Sequence, residues 1–319
     1  MLSRAATSLT LFGRHLERAD HLARILGVHV ALSLDRTDEP GPEFWIRFMD
    51  LAGWRQSDTG RRDDAVETVI TGTLGPSIRS SVSSARLAAQ AVRPSLPSEL
   101  YEQVNALHWR VQEPAWQPDL YPYLGDVQMS IRLVDGLLED TMPHDEARDF
   151  VRLGKFVERA SNVTRVVTHK AAELAESPDD VLEWSAVLRS CFAFESYQAR
   201  YSGGVSADSV IDCLMLDGSL PRSARFSTGS ALEAVARIEG NSKRSAPLRL
   251  LIRMNAMFIR ARTEDITQRP VEFEAEFRDL ARQLEVALRQ AYFHPSKVPA
   301  AVAGEEGHGM PQQQQQEQP

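Results

Sequence analysis

Two glutamates, Glu17 and Glu158, each stand directly before an arginine and four residues after a glycine. The first stretch carries Gly13, Glu17, Arg18, Asp20 and Arg24; the second carries Gly154, Glu158, Arg159, Ser161 and Arg165. If the helices bearing them pack antiparallel, the two carboxylates meet in the interior. There they could share a proton, bind a cation or serve as acid and base. The competing reading is a buried ion-pair network that fixes helix register, because buried charge persists when it is paired. Accessibility separates the two: an enzyme needs solvent-reachable carboxylates of perturbed pKa, a frame needs them buried and paired.

Other chemistry is less well supplied. A di-metal carboxylate site requires Glu-x-x-His on two helices. Here Asp20 and Ser161 stand three after the glutamates, and His21 has no histidine counterpart in the second stretch, so no metal or other cofactor is expected. His29, His108, His144, His169 and His294 show no ligand spacing. Cys191 lies in apolar surroundings and reads as a small buried hydrophobe rather than a nucleophile. Gly203-Gly204 and Gly72 to Gly75 lack the Lys-Ser/Thr or strand–helix context of a phosphate loop. Arg222, Ser223 and Arg225, behind Pro221 at a helix start, could hold a phosphate or carboxylate, with capping and packing as the alternative.

Helices must position these groups. Apolar residues recur in steps of three and four, as Leu9, Phe12, Leu16, Ala19, Ala23, Leu26, Val30 and again as Phe150, Leu153, Val157, Ala160, Thr164, Val167, Ala171. Capping, Pro and Gly signals predict helices over about 4–34, 42–52, 63–73, 76–93, 98–112, 123–142, 145–176, 179–201, 207–217, 221–237, 247–267 and 270–293. No stretch sustains the period-two alternation of a strand. The two long helices match in sequence, and the match extends outward. Trp45, Phe48 and Met49 correspond to Trp184, Val187 and Leu188; Pro76-Ser77 corresponds to Pro221-Arg222-Ser223. The expected fold is therefore all-α: one domain over 1–295, with halves of about 1–143 and 144–295 related by a pseudo-two-fold axis. Residues 296–319, rich in Ala, Gly, Glu and Gln, read as a disordered tail.

The chain of 319 residues carries a net charge of −8, which argues against a nucleic-acid partner, since phosphate binding needs a basic face. Its two cysteines lie in helical patterns, as in a reducing compartment. There is neither a signal-peptide pattern nor a run near the roughly 18 apolar residues of a membrane span. A cytoplasmic protein with no membrane contact is expected.

The Met1-Leu2-Ser3-Arg4 start, the paired Gly-x-x-x-Glu-Arg-Ala stretches and the Pro221-Arg222-Ser223 triplet together resemble the alpha-E domain family of bacterial helical proteins. The resemblance runs over about residues 1–293 and passes through Ser84-Ala85-Arg86 and Asp140-Thr141-Met142. Two places depart from the family's pattern. Thr10-Leu11 replaces an aromatic pair, and Leu87 to Gln90 replaces a polar Glu-Asn-Ala-Arg run. The resemblance implies neighbours more than a reaction: circularly permuted ATP-grasp ligases and transglutaminase-like peptidases, in the synthesis or modification of peptides or amides. The family has no established catalytic activity. The reading that follows is a non-catalytic helical accessory or scaffold beside those enzymes. The alternative is an enzyme of peptide or amide metabolism using Glu17 and Glu158 as an acid–base pair.

Overall fold

A computed structural model describes residues 3–35, 40–54, 59–177, 179–240 and 245–293. The tail at 296–319 and His294 lie outside the described residues. Among the described residues there are fourteen α-helices and no strand. In chain order they are α1 (Ser3–Asp35), α2 (Pro42–Leu51), α3 (Arg62–Thr71), α4 (Ile78–Ala91), α5 (Ser98–Gln112), α6 (Leu120–Thr141) and α7 (Glu146–Glu173). They continue as α8 (Val181–Ser190), α9 (Phe194–Gln198), α10 (Ala207–Ile211), α11 (Ala224–Glu239), α12 (Ala246–Arg260), α13 (Thr263–Gln268) and α14 (Pro270–Leu288).

The long helices α1 and α7 pack on each other and carry everything else. Helix α4 lies on α1 and α11 on α7; α5 covers α4, and α12 covers α11. Helix α6 returns from α5 to α1, while α14 packs on both α12 and α7. The apolar positions read from the sequence face this centre. All fourteen are buried except Val157, which is partly so. Ser77 caps α4 by accepting from the Ser80 amide, and Ser223 caps α11 by accepting from the Phe226 amide.

The α1–α7 approach depends on two glycines. A Cβ on Gly13 would sit 2.1 Å from the Val151 carbonyl oxygen, and one on Gly154 would sit 1.9 Å from that of Thr10. Thr10 and Val151 each precede the glycine of their own helix by three residues, so the contacts are reciprocal. No side chain fits at either place.

Four expected helices are interrupted; that over 270–293 passes into a π turn at Arg289–Phe293. The one over 179–201 stops at Ser190 because Phe192 takes a left-handed backbone, φ 54°, before α9 begins. The one over 247–267 is broken between Arg260 and Thr263. The one over 207–217 widens into a π turn at Asp212–Leu216. The end of α8 closes as that of α2 does. Amides of Phe192 and Ala193 donate to the carbonyls of Arg189 and Leu188, and amides of Gly53 and Trp54 donate to those of Asp50 and Met49. This is the doubled hydrogen-bond pattern of a helix ended by one left-handed residue. Glycine fills that position in α2, at φ 94°; phenylalanine fills it in α8.

Candidate functional site

Each glutamate is clamped by the arginine of the opposite stretch. Arg159 donates from Nε and Nη2 to the two oxygens of Glu17, at 2.7 and 2.6 Å. Arg18 donates likewise to Glu158, at 2.7 and 3.0 Å, and Arg14 adds a third hydrogen bond to Glu158 at 3.0 Å. Both carboxylates are buried. Burial alone would raise their pKa, yet the arginine charges and hydrogen bonds outweigh it. Glu17 is lowered, and Glu158 is lowered to about 2. These are forked, charge-assisted pairs, each helix supplying one acid and one base.

On the side of Glu17 the cluster grows. Arg24 donates to both Asp20 oxygens at 2.9 and 3.0 Å, and Arg222 reaches Asp20 at 3.3 Å and Glu17 at 3.5 Å. Arg222 thus meets the protein's own carboxylates. Of the three residues that could hold an anion, Ser223 is also occupied as a cap and Arg225 donates to the Leu216 carbonyl. The Phe192 ring lies against three guanidiniums, with Arg24, Arg132 and Arg222 at 4.4, 4.7 and 5.4 Å from its centroid. The free space left here is about 20 Å³.

On the side of Glu158 there is a cavity of about 340 Å³. Its wall includes Arg18, His21, Leu22, Glu158, Asn162 and Arg165. At the same spacing in the other stretch stand Arg159, Asn162, Val163, Glu17, His21 and Arg24, and those six line the filled site. The two sites are built from matching positions. Among the differences between them are Asp20 against Ser161 and two positions outside the long helices. Counting from the caps Ser77 and Ser223, Pro76 occupies the place of Arg222. Counting from Trp45 and Trp184, Gly53 occupies the place of Phe192.

Arg165 donates from Nη2 to the side-chain Oδ1 of Asn162 at 3.0 Å. Three nitrogens in or beside the cavity, His15 Nδ1, His21 Nε2 and Asn162 Nδ2, are buried with no hydrogen-bond partner. Burial, then the charge of Arg165, lowers the His21 pKa to about 3; burial, then Arg18, lowers that of His15 to about 4. Both rings are neutral at pH 7. Cys191, buried beside the filled site, has its thiol pushed up to about 12 by burial and is not a thiolate.

A family profile described as a predicted alpha-helical domain with a conserved ER motif matches residues 1–293. The chain belongs to the Alpha-E family. Its sequence contains Glu-Arg twice, at Glu17-Arg18 and Glu158-Arg159, the residues of the two clamps. This Alpha-E chain is 25% identical to an uncharacterized protein of Mycobacterium tuberculosis strain H37Rv, over 90% of its own length and 36% of the relative's. It is 24% identical to an uncharacterized protein of Mycobacterium bovis, over the same shares. The chain thus spans about a third of the curated relatives it matches. No solved structure matches it.

Within this Alpha-E domain the structure brings Gly13, Glu17, Arg18, Asp20, Arg24, Gly154, Glu158 and Arg159 to one crossing, with Arg165 at its edge. Sequence reasoning passed over Asn162 and Phe192 and treated His21 only as a failed metal ligand. The signal for two of them was present: His21 and Asn162 hold matching positions, polar in both stretches, one residue before an apolar one. Among the described residues no group of three or more His, Cys, Asp or Glu is placed to hold a metal, and no helix is long and apolar enough to cross a membrane.

Proposed function

We propose that this chain is a helical accessory module, working beside an ATP-grasp ligase and a transglutaminase-like peptidase in peptide or amide synthesis or modification. The observation that supports a frame over a catalyst is the reciprocal clamp. Each glutamate is buried, doubly hydrogen-bonded to the other stretch's arginine and held ionised far below neutral pH. A general acid–base pair requires a carboxylate that exchanges its proton near the working pH. The lowered pKa of both glutamates weighs against the acid–base alternative. The partner enzymes come from the family resemblance and the cytoplasmic setting from cysteine usage.

The same reading takes residues 1–295 as one unit made by duplication. In its support, the packing order α1, α4, α5, α6 is paralleled by α7, α11, α12, α14.

Co-expression with a circularly permuted ATP-grasp ligase tests the accessory role. The expected result is a complex that survives size-exclusion chromatography and raises or redirects the ligase's turnover. A ligase that neither binds the chain nor changes its rate in its presence would remove the proposal.

A further inference from the structure

Helices α1, α6 and α8 leave a trough of about 810 Å³ between them. Its floor is α1 from Arg24 to Asp35, and α6 and α8, each packed on α1, are its walls. The trough has a direction. Phe192 lies over Arg24 of α1 and Arg132 of α6, which brings all three elements together at one end. From there α1 runs on eleven residues to Asp35, while α6 and α8 run back eleven to Tyr121 and Val181. At 1.5 Å per residue that is about 16 Å along each helix.

The lining is largely apolar. Val28, Ala31 and Leu32 make the floor, and Val181, Leu182 and Tyr121 stand half-exposed on the walls. The matching positions in the other half differ. His169 and Glu173 of α7 stand for Val28 and Leu32, and Arg47 of α2 stands for Ala186. Arg47 and Glu173 form an ion pair there at 3.3 Å. Helix packing alone therefore does not require an apolar trough, and an open apolar face of this kind marks an interaction site.

The charges at its two ends select the occupant. At the Phe192 end, Arg132 touches Met129, Gln128 and the Phe192 ring, and Arg189 lies on the Phe194 ring. Among the described residues neither guanidinium is paired with a carboxylate. At the far end Asp35 closes α1, Asp119 precedes α6, and Asp179 and Asp180 precede α8. The helix dipole disfavours an acid at a C-terminus, so it does not account for Asp35. Glu195 at the first end and Arg62, whose charge reaches Tyr121 at the second, reduce the imbalance without reversing it. A surface positive at one end, negative at the other and apolar between is complementary to its own copy turned end for end.

We infer that the trough is the contact face of a homodimer, in which a second copy docks antiparallel across it about a two-fold axis. The exposed apolar walls interleave, and Arg132 and Arg189 of each copy face the Asp35 end of the other. This inference stands apart from the accessory role, since it needs no partner enzyme.

Sedimentation equilibrium of the full chain is the test. A reversible monomer–dimer equilibrium with Kd on the order of 10 μM or below is expected. Leu182→Glu and Tyr121→Glu, on opposite walls, should each raise Kd at least about tenfold. Whichever keeps the wild-type circular dichroism carries the comparison. Ile252→Glu, equally exposed on α12, is the control and should change nothing. Asp35→Lys and Arg189→Glu each set like charges against one another across the axis and should weaken the dimer. Combined in one chain they restore opposite charges and should recover most of the loss, which only the antiparallel arrangement predicts. A chain still monomeric at about 100 μM, a dimer indifferent to a folded wall variant, or a charge pair without recovery would overturn the inference. So would a monomer whose wall substitutions abolish binding to an ATP-grasp ligase, because the trough would then belong to that partner.

Discussion

The sites of Glu17 and Glu158 are two outcomes of one design. In the first, three arginines and two carboxylates close on one another beneath Phe192, leaving about 20 Å³. In the second, the acid is held by Arg18 and Arg14, both of which extend toward solvent, and about 340 Å³ stays open beside it. The helices and clamps correspond; the occupants do not. Matched clamps thus account for holding the helices, whereas exchanges around them, among them those at 53, 76 and 161, accompany the open cavity.

The largest expected effect strikes what the two sites share. Gly13→Ala or Gly154→Ala places a methyl about 2 Å from a backbone oxygen that no rotamer can move, so the helices must separate. A loss of about 3 kcal/mol or more in urea unfolding is expected. Gly125→Ala and Gly136→Ala in α6 are the controls, because a Cβ there meets nothing within 4 Å. They should stabilise by about 0.5–1 kcal/mol through helix propensity. If all four behave alike, the close crossing is not what holds the sites together.

The next effect should divide the sites. Glu17→Gln leaves Arg159, whose side chain is 7% exposed, buried without its acid, and about 3–5 kcal/mol should be lost. Glu158→Gln leaves Arg14 and Arg18, 36% and 26% exposed, free to turn to water, and should cost about 2 kcal/mol or less. Equal losses would mean that burial of the arginines does not distinguish the filled site from the open one.

The scaffold of this comparison was legible in the chain, and its occupants were not. Glycine, glutamate and arginine at repeated offsets over a three–four apolar seam already placed the clamps on one helix face, because side-chain direction in a helix follows from spacing. The break at Phe192 was hidden. Glycine announces a left-handed helix end at position 53, but phenylalanine there reads as one more apolar residue of a continuing helix. Its place at a helix start leaves Arg222 open to an external anion or to a packing role. Its real partners, Asp20 and Glu17, lie about two hundred residues away, and no local pattern links them. The cavity is lined by residues as far apart as His15, Ser84 and Arg165, so it too lay beyond spacing.

Acidification gives a smaller effect with a definite sign. His21 and His29 are buried and neutral, lowered to about 3 and about 4 from 6.5, chiefly by burial and then by Arg165 and Lys170 respectively. Unfolded, they take up protons near pH 6.5, so the unfolded chain binds more protons than the native one below that value. Stability therefore falls as pH drops from about 6.5 toward 4, by about 2 kcal/mol per histidine between pH 7 and 5. Glu158 acts in a lower window: its depressed pKa stabilises the fold above 4.5, and that contribution is lost as pH falls toward about 2. His21→Asn, which copies the residue at the matching position, should flatten the pH 7 to 5 slope by about one histidine's share. An unchanged slope would show that His21 is not held neutral.

The smallest effect tests whether the two helix ends are equivalent. At both 53 and 192 the backbone is left-handed, where an L side chain costs about 1 kcal/mol and glycine nothing. Replacing Phe192 confounds that strain with the loss of a half-exposed ring and its three guanidinium contacts. Comparing Phe192→Ala with Phe192→Gly removes the confusion, because both variants lack the ring and differ only at Cβ. Phe192→Gly should be the more stable by about 1 kcal/mol. Gly53→Ala should cost about the same relative to wild type, with a small addition from the Pro76 ring carbon 3.2 Å from the new methyl. Agreement between the two differences means that the chain ends α2 and α8 in one strained conformation and tolerates it at 192 for the ring. A difference near zero at 192 alone would mean that the α8 end relaxes when the ring is removed. Phe192 would then create its own turn over Arg24 and Arg222, and the open site would owe its shape to Gly53 without any inherited counterpart.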